Sequence, residues 1–282
     1  MGQELQALLT GFALSVVIAG LAYRRGSLAP SGALGAVVVG TLVFGLGGWV
    51  WGVLLALFFV SSSALSHFKE SEKAATAEKF EKGHRRDMGQ VLANGGLGAL
   101  IAVLSAVVPE AVVSNSLWFF LFLGVMATVT ADTWATEWGT LSQSPPRLIT
   151  SGQVVEVGTS GGISGLGILV SLAGGATIGL TAGLLGGIAG MLGGNAATVL
   201  LLTAVGAVAG LAGSLIDSLL GATVQQIYYC DVCGKETESR IHRGSHETRP
   251  LRGWSWMNND LVNLISSLAG GLVAAGLAAL LL

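Results

Sequence analysis

The sequence predicts an all-α polytopic membrane protein of about eight glycine-rich transmembrane helices, and three observations predict it. Apolar types make up 52% of the 282 residues and charged types only 11%, where a soluble domain carries roughly 25% charged residues; mean hydropathy is +0.72. Glycine is abundant (43) and proline scarce (5), the composition of helices that approach each other closely in lipid through small residues. Finally, the basic residues cluster in alternate connections between apolar runs.

A helical span needs about 20 largely apolar residues. Stretches near 5–23, 31–47, 49–66, 90–109, 116–133, 162–183, 196–216 and 262–282 meet that need. Residues 163–192 form one long glycine-rich run, readable as a tilted helix with a re-entrant piece or as two short helices. With eight spans and the N-terminus outside, the inside segments are 24–30, 67–89, 134–161 and 217–261. All 14 Lys and Arg fall there: Arg24 and Arg25, six between Lys69 and Arg86, Arg147, and five from Lys235 to Arg252. That is the positive-inside pattern, and it excludes two complete crossings within 163–192, which would move the last five basic residues outside. Both termini are therefore expected outside, and the opening MGQELQALLT lacks the basic region of a removed signal peptide. The basic loop 67–89, the glycine-rich loop 134–161 and a Cys/His loop, 227–253, inserted before the last helix all face the cytoplasm, where nucleotides and Mg²⁺ are available. Short, nearly uncharged outside connections argue against an extracellular receptor or a surface hydrolase. A net charge of -2 leaves no electrostatic footprint for nucleic acid.

Helices leaving the cytoplasm start alike, at 30-PSGALGA-36, 93-ANGGLGAL-100, 159-TSGGISGLG-167 and, more loosely, 258-NNDLVNL-264. Helices returning end alike at 131-ADTWATE-137 and 216-IDSLLGA-222. Spans four plus five and six plus seven thus read as two copies of one hairpin. Ser and Asn cap helix starts, and several such starts on one face beside a basic loop favour anion binding.

Four groups of residues point to chemistry. In 79-KFEKGHRRDMGQVLANGG-96, Lys82, Arg85 and Arg86 stand beside Asn94 at a glycine-rich helix start; Arg offers phosphate a bidentate fork. Lys69, Lys73 and Lys79 read as membrane-surface anchors. The second group is Gly158, Thr159, Ser160, Gly161 and Gly162, where glycines allow close backbone approach to phosphate; without a Walker lysine this is no P-loop ATPase. Third come Asp132, Asp217 and Asp260. Carboxylates in membrane segments are costly. The first two are expected at helix C-termini, where a negative charge opposes the dipole and a bound cation relieves the cost. Mg²⁺ suits one or two carboxylates plus substrate phosphates, and Asn258 and Asn259 can add amide oxygens. Glu137, beyond Asp132, is open between helper and wet helix end, while Trp134 and Trp138 read as interfacial anchors. Last, Cys230, Cys233, His242 and His246 offer zinc-like ligand types; a structural Zn²⁺ site and a reduced cysteine pair in a loop both remain open. No nucleophilic triad and no G-x-S-x-G elbow is present.

Together, 86-RDMGQVLANGG-96, 131-ADTWATE-137, 146-PRLITSG-152 with 158-GTSGG-162, 213-GSLIDSLLGA-222, the C-x2-C loop and 254-WSWMNNDLVNLISS-267 resemble the integral membrane family that contains transmembrane protein 19 and the plant phytyl-phosphate kinase of the vitamin E pathway. The resemblance covers essentially the whole chain. One departure is that Arg243 follows His242 where a Cys is expected. The resemblance implies a kinase that converts an isoprenoid monophosphate, such as phytyl or geranylgeranyl phosphate, to the diphosphate with a nucleoside triphosphate, CTP being the expected donor. Asp132, Asp217 and Asp260 would hold Mg²⁺ directly or through water. Arg85, Arg86 and the 158–162 backbone would hold phosphates, with Asn94 and Asn258 orienting them. A cytidylyl- or phospho-alcohol-transferring lipid enzyme is the alternative, and a transporter ranks below both.

Overall fold

Local sequence signals set the helix starts. Pro30 opens α2 (Pro30–Leu46) after α1 (Gly2–Arg24), a position where its missing N–H costs nothing. α3 (Trp49–His67) follows. Asp87 caps α4 (Met88–Val107) reciprocally with Gln90: the Gln90 N–H donates to the Asp87 carboxylate at 2.9 Å, and the Asp87 N–H to the Gln90 side chain at 3.1 Å. Within α4, Leu92–Gly96 form a π-helical turn. Ser114 caps α5 (Asn115–Gly139), and α6 (Gly165–Ile188) is a single helix. Asn195 caps α7 (Ala196–Thr223), and α8 (Asn259–Leu281) completes the bundle. The computed structural model describes residues 2–68, 85–188, 193–242 and 246–281; Lys82 lies outside them, with Lys69, Lys73, Lys79 and His84. Among the described residues seven helices are long and apolar enough to cross a membrane, and the 17-residue α2 is a shorter apolar helix.

Two helices run further than hydropathy predicts. α5 continues to Gly139 rather than ending at 133, and α7 to Thr223 rather than 216. A drop in hydropathy marks where apolar surface ends; it does not break a helix. The hydroxyls of this region turn back onto their own helices, Thr133 to the Val129 carbonyl at 2.8 Å and Thr223 to the Leu219 carbonyl at 2.7 Å. Asp132 and Asp217 therefore sit about two turns inside their helices. The dipole argument applies only to the last turn and does not hold for them.

α5 is the central helix: all its residues from Trp118 to Ala131 except the half-buried Leu121 are buried, Trp51 of α3 stacks on Phe122 at 4.2 Å, and α6, α7 and α8 all pack on it. α6 and α7 cross so closely that a Cβ at Gly175 would collide with the Gly206 carbonyl. Gly175→Val is accordingly expected to destabilise the bundle by at least about 1–3 kcal/mol, seen as a lower unfolding midpoint of the detergent-solubilised protein. The α4–α5 pair packs much less closely than α6–α7, so the two hairpins with similar sequence are not packed alike.

The loop segments carry small sheets. β1 (Arg147–Leu148) pairs antiparallel with β2 (Gly162–Ile163), closing the glycine-rich loop on itself. Between α7 and α8 lies a β lobe: β3 (Ile227–Cys230) sits between β4 (Lys235–Thr237) and β7 (Arg249–Arg252), and β5 (Ile241–His242) pairs with β6 (His246–Glu247). At the same end of the bundle, backbone bonds from Arg86 N–H to the Ser27 carbonyl (3.0 Å) and from Ala29 N–H to the Arg86 carbonyl (2.9 Å) tie the start of α4 to the α1–α2 connection.

Candidate functional site

A cavity of about 330 Å³ opens where the ends of α4, α5, α6, α7 and α8 meet the glycine-rich loop and the β lobe. Among the described residues, five carboxylates line it (Asp132, Glu137, Asp217, Glu238 and Asp260) and Arg86 is the one basic residue. Such a concentration of negative charge in a partly enclosed space needs counter-cations.

Hydroxyls on neighbouring helices hold the two central aspartates. Ser214 of α7 donates to the Asp132 carboxylate of α5 at 3.3 Å, and Ser214 and Ser171 of α6 are hydrogen-bonded at 3.2 Å. Ser266 of α8 donates to the Asp217 carboxylate at 3.0 Å. The two aspartates are near enough for their charges to act on each other, and the charge of Glu238 reaches Asp217. Asp260 enters from the first turn of α8 beside Asn259. Among the described residues, the one set of three metal-type ligand atoms within 4.8 Å of one another is that of Cys230, Cys233 and His242. The three aspartates line one cavity without converging on a single point.

Arg86 lies against the rings of Phe58 and Phe59 at 5.7 and 5.6 Å. Its Nη1 is shut off from solvent and has no hydrogen-bond partner among the described residues. Burial lowers its pKa from the ordinary value, and the nearby Glu137 carboxylate raises it. Glu137, left open on the sequence, accepts a bond from Ser66 at 2.6 Å and faces the same cavity. Arg85, one residue earlier, turns away: its guanidinium lies over Tyr23 at 5.8 Å and reaches the Leu28 carbonyl at 3.4 Å, outside the cavity lining. The parallel bridge between Leu28 and Arg86 decides which of the two faces in.

Gly158, Thr159, Ser160, Gly161 and Gly162 all line the cavity. Gly161 is required twice over. Its φ is +85°, and a Cβ would meet the Ala222 backbone nitrogen at 2.6 Å. Ser160 does not point its hydroxyl freely at a ligand, since it donates to the buried Gln225 side chain at 2.6 Å. Gln225 in turn donates to Glu238 at 2.8 Å, and Arg252 donates to the carbonyls of Gly221 (2.7 Å) and Ser160 (3.3 Å). The β lobe is thus fastened to the loop and supplies Glu238 to the cavity. Asn94 lies on the π-helical turn at the cavity edge, donating to the Gln90 carbonyl at 2.9 Å. Asn259 lines the cavity, but Asn258 does not: its side chain accepts the Leu261 N–H at 3.0 Å, as a helix cap. Trp134 donates to Ser61 at 3.1 Å, and Trp138 packs near Phe68, ring centroids 6.3 Å apart.

In the β lobe, Cys230 and His242 are buried and Cys233 is half-buried. His246, expected as a fourth ligand, is not among the converging atoms. It pairs across from His242, yet His242 is sunk beneath the lobe whereas His246 stays partly exposed.

Sequence reasoning missed Ser214, Ser266, Gln225 and Glu238. The serines carried a signal, because Ser214 precedes Asp217 by three residues and so shares its helical face. Glu238 and Gln225 carried none, being ordinary polar residues of a polar segment.

Residues 13–271 match the family described as Integral membrane protein DUF92. The chain belongs to this family. It is 34% identical to Protein PGR of Arabidopsis thaliana, over 90% of both chains. It is 29% identical to an uncharacterized membrane protein of Methanocaldococcus jannaschii, covering 86% of this chain and 82% of that one. With Protein VTE6, chloroplastic, of Arabidopsis thaliana it shares 26% identity over 88% of this chain and 64% of the relative. No solved structure matches. The family membership agrees with the resemblance carried by the sequence motifs, and it makes the chain an integral membrane protein.

Proposed function

We propose that the protein is a Mg²⁺-dependent kinase that transfers the γ-phosphoryl group of a nucleoside triphosphate to an isoprenoid monophosphate. The observation that carries this reading is a cavity at the ends of the apolar helices whose described lining has five carboxylates, one desolvated guanidinium and a glycine-rich loop. The similarity to Protein VTE6, chloroplastic, supports a role in the prenyl-lipid chemistry of the vitamin E pathway, and CTP is the donor that the family resemblance implies.

The donor set fits Mg²⁺: Asp132, Asp217, Asp260 and the Asn259 amide are hard oxygen ligands. Asp132 and Asp217 would hold the ion with their serine partners fixing the carboxylates, and Asp260 would act from the rim through water. Bound there, Mg²⁺ would neutralise phosphate charge. Arg86 holds the acceptor phosphate by paired hydrogen bonds, and the backbone of residues 158–162 lies against the donor's phosphates, with Asn94 orienting them. One acceptor phosphate oxygen attacks the γ-phosphorus; the bond to the β,γ-bridging oxygen breaks, and the nucleoside diphosphate leaves. An acceptor that is already a phosphate dianion needs no general base, which agrees with a cavity whose described lining has no histidine. Charge neutralisation and alignment carry such reactions. The site faces the cytoplasm in this reading, by the placement of basic residues.

The test supplies purified protein with phytyl or geranylgeranyl phosphate, Mg²⁺ and each nucleoside triphosphate. Lipid diphosphate is the expected product, and its absence under every pairing refutes the kinase. A lipid-linked nucleoside monophosphate would select the cytidylyl-transferring alternative instead. The ligand types of Cys230, Cys233 and His242 fit a structural Zn²⁺, and metal analysis is expected to return one zinc per chain, lost in Cys230→Ser together with the thermal stability of the β lobe.

A further inference from the structure

Resting on that reading for the substrate, we propose that an apolar groove of about 70 Å³ between α1, α2, α3 and α4 takes the head-proximal part of the isoprenoid phosphate's hydrocarbon tail, the rest of the chain running on along α2 into lipid. Ile18 and Ala19 of α1, Val39 and Phe44 of α2, and Leu55 and Phe58 of α3 form its walls. Arg86, Gln90 and Asn94 line both this groove and the polar cavity, so the two are neighbours across a single three-residue border. A phosphate at Arg86 therefore has carboxylates on one side and hydrocarbon on the other.

Geometry gives the groove a direction. Its polar end lies at Arg86, Gln90 and Asn94, and its apolar lining follows α2 from Ala36 to Phe44, a rise of about 12 Å. Head and tail of an amphiphile would thus be read by separate surfaces meeting at one residue. Arg86 is suited to that border, its guanidinium lying on Phe58 and Phe59, rings that belong to the groove wall. The π-helical turn contributes as well: Asn94 and Gly95 are consecutive, yet Asn94 lines both spaces and Gly95 only the groove. π turns occur often at functional sites. A straight α-helical register would not leave this turn widened at the border. The lining of such a largely apolar space recovers packing when a hydrocarbon fills it.

Photocrosslinking decides the location without requiring turnover. Geranylgeranyl monophosphate carrying a terminal diazirine is irradiated with the wild-type protein, and label is expected in peptides covering residues 36–59. Label confined to α7 and α8 overturns the proposal. In kinetics, wild type is expected to prefer geranylgeranyl over isopentenyl phosphate in kcat/KM by about tenfold or more. Ala36→Phe and Ala56→Phe, which fill the groove, should erase that preference by lowering the value for the long substrate alone. Equal losses for both substrates, or an unchanged preference, count against the tail site. Should wild type form no diphosphate at all, the kinase reading falls, while labelling of residues 36–59 still upholds the groove.

Discussion

Asp132→Asn is expected to lower diphosphate formation by roughly 10²–10³-fold with the fold intact. The substitution keeps the shape of the side chain, and its amide oxygen can still accept the Ser214 hydroxyl that now bonds the carboxylate. What disappears is one negative charge of the five around the cavity. If that charge holds Mg²⁺, the loss appears as a higher Mg²⁺ requirement together with a lower kcat. Asp217→Asn, held likewise by Ser266, should behave in the same way. A variant with wild-type kcat and Mg²⁺ dependence would remove Asp132 from the proposed chemistry. The control is Asp231→Asn, which disturbs only an exposed ion pair with Arg249 at 3.1 Å. Pairs of that kind contribute about 0–1 kcal/mol, and neither activity nor stability should change measurably.

Arg86→Gln is expected to raise the KM for the lipid phosphate by about 10²-fold or more, since hydrogen bonds to charged groups contribute about 1.5–3 kcal/mol each. Arg86→Lys should rescue this only partly, because an ammonium is a point charge without the planar fork and stacks less well on aromatic faces. The split between the two variants is the informative readout. Full rescue by Lys would mean that Arg86 supplies charge alone. Removing the guanidinium also takes away a cation whose charge acts on Glu137 and gives up its contact with Phe58 and Phe59, worth about 0.5–2 kcal/mol. The unfolding midpoint should be measured beside the kinetics.

The fold was legible because the signals that define it are additive along the chain. Eight apolar runs and the separation of basic from uncharged connections do not depend on any one residue. The three aspartates stood out for a related reason, since a carboxylate at the edge of an apolar run has few structural excuses. Neighbouring residues with identical chemistry were beyond reach. Nothing local distinguishes Arg85 from Arg86; a backbone bridge to Leu28 does, and that contact joins segments far apart in sequence. Asn258 failed for the opposite reason: a local role as helix cap satisfied its side chain before any ligand could. Helix ends were misplaced because polarity was read as termination, although the residues after Asp132 and Asp217 contain no early breaker. Glu238 reaches the cavity through a folded lobe whose β pairings no periodicity announced.

The serine partners of the two aspartates have a consequence for how the chain is made. Synthesis and insertion proceed from the N-terminus, so α5 enters the bilayer before α7, and α7 before α8. Asp132 therefore waits for Ser214, and Asp217 for Ser266, each acid being completed by a hydroxyl from a helix that arrives after it. Until the last helix docks, Asp217 sits in the half-built bundle while its intended donor, Ser266, has yet to arrive. The final helix is then a closing piece for biogenesis as well as a wall of the cavity, and a chain truncated before Asn259 would leave Asp217 without its partner in lipid.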